Sequence, residues 1–245
     1  MKNIFKNLSI RQKNYLVLVG ICLVLYGFSL PYSIFQVPHF IGGNDFKAHA
    51  HFMMSFADAF VSGQWIPRTL TSLELFNDAA LPAADAPTFQ YYGFFEGLMA
   101  LPFNILHFSP ANAAVWAVIF TRILCAFVMY ETCCLFGATP TVAVLANFAF
   151  LISPYTMSCF YSRGALAESI SHSLMVLIFY GFALSWKQKY RQSILIYTLA
   201  FAALSLCHNI FLLYGTVLFL VLISTSFRWQ AIFAGGIGSV LGVLL

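Results

Sequence analysis

Apolar positions fall into long continuous runs at 15–37, 92–108, 112–136, 140–158, 169–186, 193–226 and 230–245. A helix needs about 20 consecutive apolar residues to cross a bilayer, so most of these runs predict spans. The run 193–226 is too long for one crossing and about right for two short ones. His208 and Asn209 interrupt it near the middle, which predicts a turn there and spans at 193–208 and 210–226. Pro140, after Gly137 and Thr139, reads as a helix stop, an N-cap and an N1 proline, and Ser109-Pro110 starts a helix in the same way. The expected fold class is all-α: a polytopic transmembrane helix bundle forming a single domain over 1–245. The last run, AIFAGGIGSVLGVLL, stops without a polar tail, as expected of a fragment truncated at its C-terminus.

A different periodicity marks residues 46–62. Phe46, Ala50, Met53, Ala57 and Phe60 form an apolar stripe, with Lys47, His51, Ser55, Asp58 and Ser62 on the other side. Such a helix lies in the membrane interface rather than crossing it. Residues 92–108 are marginal as a span, with two glycines, Pro102 and Glu96. Basic loop residues decide between the alternatives, because they collect on the cytoplasmic side. With 92–108 interfacial and the N-terminus inside, Lys2, Lys6, Arg11, Lys13, Lys187, Lys189, Arg191 and Arg228 lie inside. Only Lys47, Arg68 and Arg163 then lie outside. A spanning 92–108 would scatter them almost evenly. The interfacial alternative places loop 38–111, the segment Tyr161–Ser169 and the His208-Asn209 turn together on the extracytoplasmic face.

Composition agrees with a membrane protein: 61% of residues are hydrophobic and 8% charged, against roughly 25% charged in soluble domains. The net charge of +4 is spread between apolar runs, which argues against nucleic acid as a partner. Residues 15–37 are too long for a signal-peptide core and read as a retained anchor. The six cysteines all lie in or beside apolar runs without a CxxC spacing, as small buried hydrophobes do.

Against this background the polar residues of the outer face stand out. Asp45 follows Gly42-Gly43-Asn44, where it serves either as an N-cap or as a catalytic carboxylate. His49 lies one turn on and shares its face, so the two suit metal binding or proton transfer. Arg163 and Glu168 flank Gly164 at the outer end of a span. They fit an interfacial snorkelling arginine with a helix-capping glutamate, or a phosphate-binding guanidinium with a carboxylate beside it. His208 and Asn209 are either a satisfied polar turn or functional groups at the membrane surface. Arg122, inside a span, pairs with a neighbouring carboxylate or with a lipid phosphate.

The stretches NDFKAH (44–49), SGQWIPR (62–68), FQYYGFF (89–95), SPY (153–155), YSRGALAES (161–169) and CHN (207–209) resemble polytopic GT-C-type glycosyltransferases. More narrowly, they resemble the N-terminal part of the bacterial membrane family labelled "6-pyruvoyl-tetrahydropterin synthase-related". The resemblance runs over almost the whole chain. It implies a GT-C-like bundle in a bacterial inner membrane, with its site facing the periplasm. It also implies transfer of a sugar from a polyprenyl-phosphate donor to an acceptor glycan, lipid or protein, with membrane lipids as further partners. Asp45 matches the acidic residue of the first outer loop, and Glu168 is the candidate for the second. The implied roles are catalysis for Asp45 and Glu168, and substrate binding for His49, Arg163, His208 and Asn209. A divalent cation, Mg or Mn, held by Asp45 and Glu168 belongs to the same expectation. Two departures stand against it: Asn44-Asp45 supplies one carboxylate where many such enzymes have two, and the chain has fewer helices. The competing readings are a lipid or glycan transporter or flippase, and a non-catalytic membrane assembly subunit.

Overall fold

In a computed structural model the described residues are 8–27, 44–63, 95–225 and 228–244, and no strand occurs among them. The helices are α1 (Ile10–Gly27), α2 (Asn44–Val61), α3 (Phe95–Ile105), α4 (Pro110–Leu135) and α5 (Pro140–Leu151). They continue with α6 (Pro154–Met157), which runs into a π-turn over Ser158–Ser162, then α7 (Leu166–Trp186), α8 (Tyr190–Ser205), α9 (Asn209–Ser224) and α10 (Trp229–Leu244). Residues 64–94 of the expected outer loop 38–111 and the end of the expected span 15–37 lie outside the described residues.

Three helix starts use one device. Ser109, Thr139 and Ser153 are N-caps whose side chains accept from the backbone N–H three residues on, each followed by proline at the first helical position. Proline fits there because its missing N–H would have no intrahelical partner anyway. α4 ends at Gly137, where φ of +91° lets the backbone N–H groups of 137 and 138 return to Cys134 and Cys133 carbonyls at 3.0 Å.

α4 and α7 form the centre of the bundle and run parallel. Arg122 meets Ser169 and, about as far along each helix, Phe136 meets Phe182. α1 runs antiparallel to α4: Tyr15 packs on Phe127, while Arg122 lies 5.7 Å over the Tyr26 ring. On the far side α10 packs closely on α8. A Cβ added at Gly238 would lie 2.7 Å from the Ile194 carbonyl oxygen, and one at Gly242 2.5 Å from that of Thr198. Small residues let helix backbones approach in this way where lipid removes the hydrophobic drive for association.

Among the described residues two helices are long and apolar enough to cross a membrane, 111–135 and 166–186. A third follows if α5 and the segment 154–162, bent by 48° to each other, count as one. Of the seven spans expected, 15–37 is described only as far as Gly27. The span expected at 140–158 is broken because Ser153-Pro154 caps and starts a new helix. The helices found for 193–208, 210–226 and 230–245 have 16 residues each, about 24 Å against a hydrocarbon core of about 30 Å. Their outward faces remain apolar, with Leu195, Leu213, Val217, Leu220, Phe233 and Val240 all more than half exposed.

Candidate functional site

The two stretches expected to lie in the interface are helical, as α2 and α3, and they pack closely. A Cβ on Gly97 would meet the Phe56 ring at 2.5 Å, and the Asn104 amide donates to the Met53 carbonyl at 3.2 Å. Phe46, Ala50, Met53 and Ala57 are buried and Asp58 is exposed, as the stripe predicts. The side chains of Lys47 and His51 lie outside the described residues. An open groove of about 710 Å³ runs between the two helices, with Met54, Ala57, Val61, Ile105 and Phe108 giving its apolar wall and Asp58 a polar edge.

His49 belongs to the buried side. Its Nδ1 lies 3.1 Å from one Glu96 oxygen and 2.9 Å from the other, and the two side chains are only 6% and 3% exposed. Burial pulls the imidazole pKa down. The adjacent Glu96 carboxylate, aided by Asp45 and Glu168, outweighs that pull and holds it above its ordinary value. Asp45 stands exposed in the first turn of α2.

The start of α3 is pinned to the turn between α8 and α9, because the Phe95 N–H donates to the Leu206 carbonyl at 3.0 Å. The next residue in that turn, Cys207, points its thiol at the Ala167 carbonyl, 3.5 Å away. These two bonds bring Glu96, His208 and the start of α7 to one end of the bundle. His208 caps α9 with extended backbone, and Asn209 is exposed beside it. His208 lies within electrostatic reach of Glu168, His49, Glu96 and Arg163.

Glu168 is gripped by Arg163 through two parallel hydrogen bonds of 2.7 Å. The sharp turn at Gly164, φ +65°, makes the pair possible five residues apart. Tyr155 also donates to Glu168, at 3.0 Å. The bidentate fork leaves both carboxylate oxygens engaged, while the Arg163 side chain stays 47% exposed. Beneath this layer His172 stacks on Phe150 at 4.9 Å and faces the Thr156 hydroxyl at 3.3 Å.

Asp45, His49, Arg163, Glu168, His208 and Asn209 thus occupy one end of the bundle, reached from α2, the α6–α7 connection and the α8–α9 turn. Glu96 is the member that the sequence reading passed over as a blemish in an apolar run. Arg122 is fully buried and, among the described residues, meets no carboxylate. Its Nη2 donates to the Ser169 hydroxyl at 2.9 Å, and Nε and Nη1 have no hydrogen-bond partner. No three His, Cys, Asp or Glu side chains stand together as a metal donor set among the described residues. With Glu168 engaged by Arg163, those residues do not fit the expected divalent cation. The cysteines are unpaired, four of them buried.

The class defined this far is an all-helical protein whose longest helices can cross a membrane, with a charged cluster at one end. No protein-family model, curated protein or solved structure matches the chain.

Proposed function

We propose that the chain is a GT-C-like membrane glycosyltransferase that moves a sugar from a polyprenyl-phosphate donor to an acceptor hydroxyl outside the cytoplasm. One observation carries this reading. Three separate parts of the chain deliver two carboxylates, two imidazoles and a half-exposed guanidinium to the same end, and α2, which carries Asp45 and His49, encloses an apolar groove with α3 further along its length.

Asp45 is the proton acceptor for the incoming hydroxyl, being an exposed carboxylate at the mouth of the cluster. As the acceptor oxygen bonds to the sugar's anomeric carbon, the bond from that carbon to the donor phosphate breaks. Arg163 then offsets the charge growing on the phosphate. Glu168 aims the Arg163 fork rather than reacting, and Tyr155 holds Glu168. His49, fixed by Glu96, and His208 with Asn209 line the same face and bind the polar part of the substrate. The groove along Met54, Ala57 and Phe108 takes the first units of the polyprenyl tail. This chemistry uses protein side chains alone.

The test is incubation of purified full-length protein with labelled polyprenyl-phosphate sugars and an acceptor mixture. Asp45→Asn is expected to lower transfer by about 100-fold or more, the usual worth of a general base, with membrane insertion unchanged. Full activity in that variant sinks the assignment. A transporter is the second reading, and Arg122 favours it, since an unpaired guanidinium inside a span marks many permeation paths. Movement of the labelled lipid between leaflets, lost in Arg122→Gln and retained in Asp45→Asn, would select it.

A further inference from the structure

The end of the bundle opposite the candidate site is charged in the other sense. Lys187 and Lys189 lie in the α7–α8 connection and Arg191 in the first turn of α8, all exposed. Arg228, which precedes α10, reaches the same place across the fold. Its Nη1 donates to the Trp186 carbonyl at 3.1 Å, and its guanidinium lies 5.3 Å over the Trp186 ring. Arg228 thus ties the start of α10 to the loop that carries Lys187 and Lys189, with Arg191 in the turn that follows. Glu131 is the acid described at this end of the bundle, and it is held by Arg11 and Tyr15 on the other side of α4.

The depth of this corner is set by what adjoins it. Leu195, four residues into α8 from Arg191, is 58% exposed, and Phe233, four residues on from Trp229, is 67% exposed. One turn, about 6 Å, thus separates lipid-facing aliphatic and aromatic surface from the cations. Trp186 and Trp229 are 44% and 73% exposed at the boundary, where indole rings favour the headgroup level. In the stretch that follows Trp186 an open depression of about 440 Å³ is lined by Gln188, Lys189, Tyr190, Arg191 and Gln192.

We propose that this corner is a binding site for the phosphate of an anionic phospholipid such as phosphatidylglycerol, with the acyl chains along α8 and α10. Positive loops alone would follow from the topology preference of basic residues. That preference acts on each loop separately and does not require Arg228 to fold back onto Trp186 beside Lys187 and Lys189. Arg228 folded onto the loop that carries Lys187 and Lys189, with an open depression lined by Lys189 and Arg191 next to it, matches a lipid phosphate held by several cations at once. The inference rests on the membrane character of the fold and is independent of glycosyl transfer.

The experiment is native mass spectrometry of the full chain released from nanodiscs containing equal phosphatidylglycerol and phosphatidylcholine, counting the lipids retained. Both leaflets have the same composition there, so orientation does not enter. Wild type is expected to retain phosphatidylglycerol preferentially. The preference should fall about fivefold for each cation removed in Lys189→Gln, Arg228→Gln and the combined variant with Lys187→Gln. Lys13→Gln, on α1, should leave it unchanged. An excess of glycerol phosphate should not displace the retained lipid; displacement shows a soluble-phosphate site and overturns the assignment. Equal retention of the two lipids by wild type, or an unchanged preference in Lys189→Gln and Arg228→Gln, overturns it as well. If the combined variant fails to fold, the two single variants decide.

Discussion

Two ion pairs join helices at opposite ends of this bundle, and their surroundings differ sharply. His49 and Glu96 join α2 to α3 with side chains 6% and 3% exposed. Arg11 and Glu131 join α1 to α4 with side chains 59% and 23% exposed. The attraction between unit charges at contact is about 1 kcal/mol in water and several times that where the dielectric is low. Burial also imposes a desolvation cost of several kcal/mol per ion. The buried pair is therefore the weaker evidence for net stability and the stronger device for register. Once the two helices have closed, neither partner can be left without the other. The exposed pair can open into solvent at little cost.

The largest expected effect follows from that asymmetry. Glu96→Ala takes the contacting carboxylate away from a buried imidazolium and should destabilise the protein by about 3–5 kcal/mol, measured below pH 6 as a fall in the thermal unfolding midpoint in detergent. The pairing of α2 with α3 should loosen first, seen as faster amide exchange across 95–105. A midpoint within a degree of wild type would break the comparison, because burial would then not be what gives the pair its hold.

That pair also shows where sequence reading succeeds and where it stops. The helices, their proline-led starts and the turn at His208-Asn209 were legible, because capping chemistry and apolar run length act locally. The amphipathic stripe of α2 was legible too, and it contained an unused clue. His49 lies three residues after Phe46 and four before Met53, on the buried side. An ionisable group there requires a partner, and Glu96 is the acid available in α3. The grip of Arg163 on Glu168 was within reach only as a flanking pair, since its bidentate geometry depends on the turn at Gly164. The break at Ser153-Pro154 repeats the motif at 109–110 and 139–140, yet it is hidden inside an apolar run that looked like one span. Arg122 is the converse case. A carboxylate or a lipid phosphate was expected beside it, and its one hydrogen bond goes to a serine brought in by α7.

An intermediate effect is expected from pH. The folded-state pKa of His49 is raised above its ordinary 6.5, so folding favours the protonated ring. The stability from the charged pair is then complete below about pH 6.5 and is lost as pH rises through the raised value. Glu96 contacts the ring, and the charges of Asp45 and Glu168 act in the same direction from further off. The gap in unfolding midpoint between wild type and Glu96→Gln should therefore narrow steadily above pH 6.5. A gap that widens with pH would mean that His49 is buried neutral and that Glu96 serves it as a simple hydrogen-bond acceptor.

The smallest effect belongs to the exposed end. Glu131→Ala removes the partner of Arg11 and of the Tyr15 hydroxyl, yet it leaves Tyr15 packed on Phe127 at 4.5 Å and on Tyr130 at 5.5 Å. Those rings, not the charges, hold α1 on α4. Arg11, largely in solvent, regains its hydration when the glutamate goes. The loss should stay within about 1 kcal/mol and shrink further as salt is raised from low ionic strength to 0.5 M, as exposed pairs do. The same salt series should leave the Glu96→Ala deficit nearly unchanged, because mobile ions do not reach a pair enclosed between α2 and α3. A deficit for Glu131→Ala as large and as salt-insensitive as that of Glu96→Ala would remove exposure as the property that separates the two ends. The aromatic packing of Tyr15 would then have to depend on its hydroxyl's bond to the carboxylate.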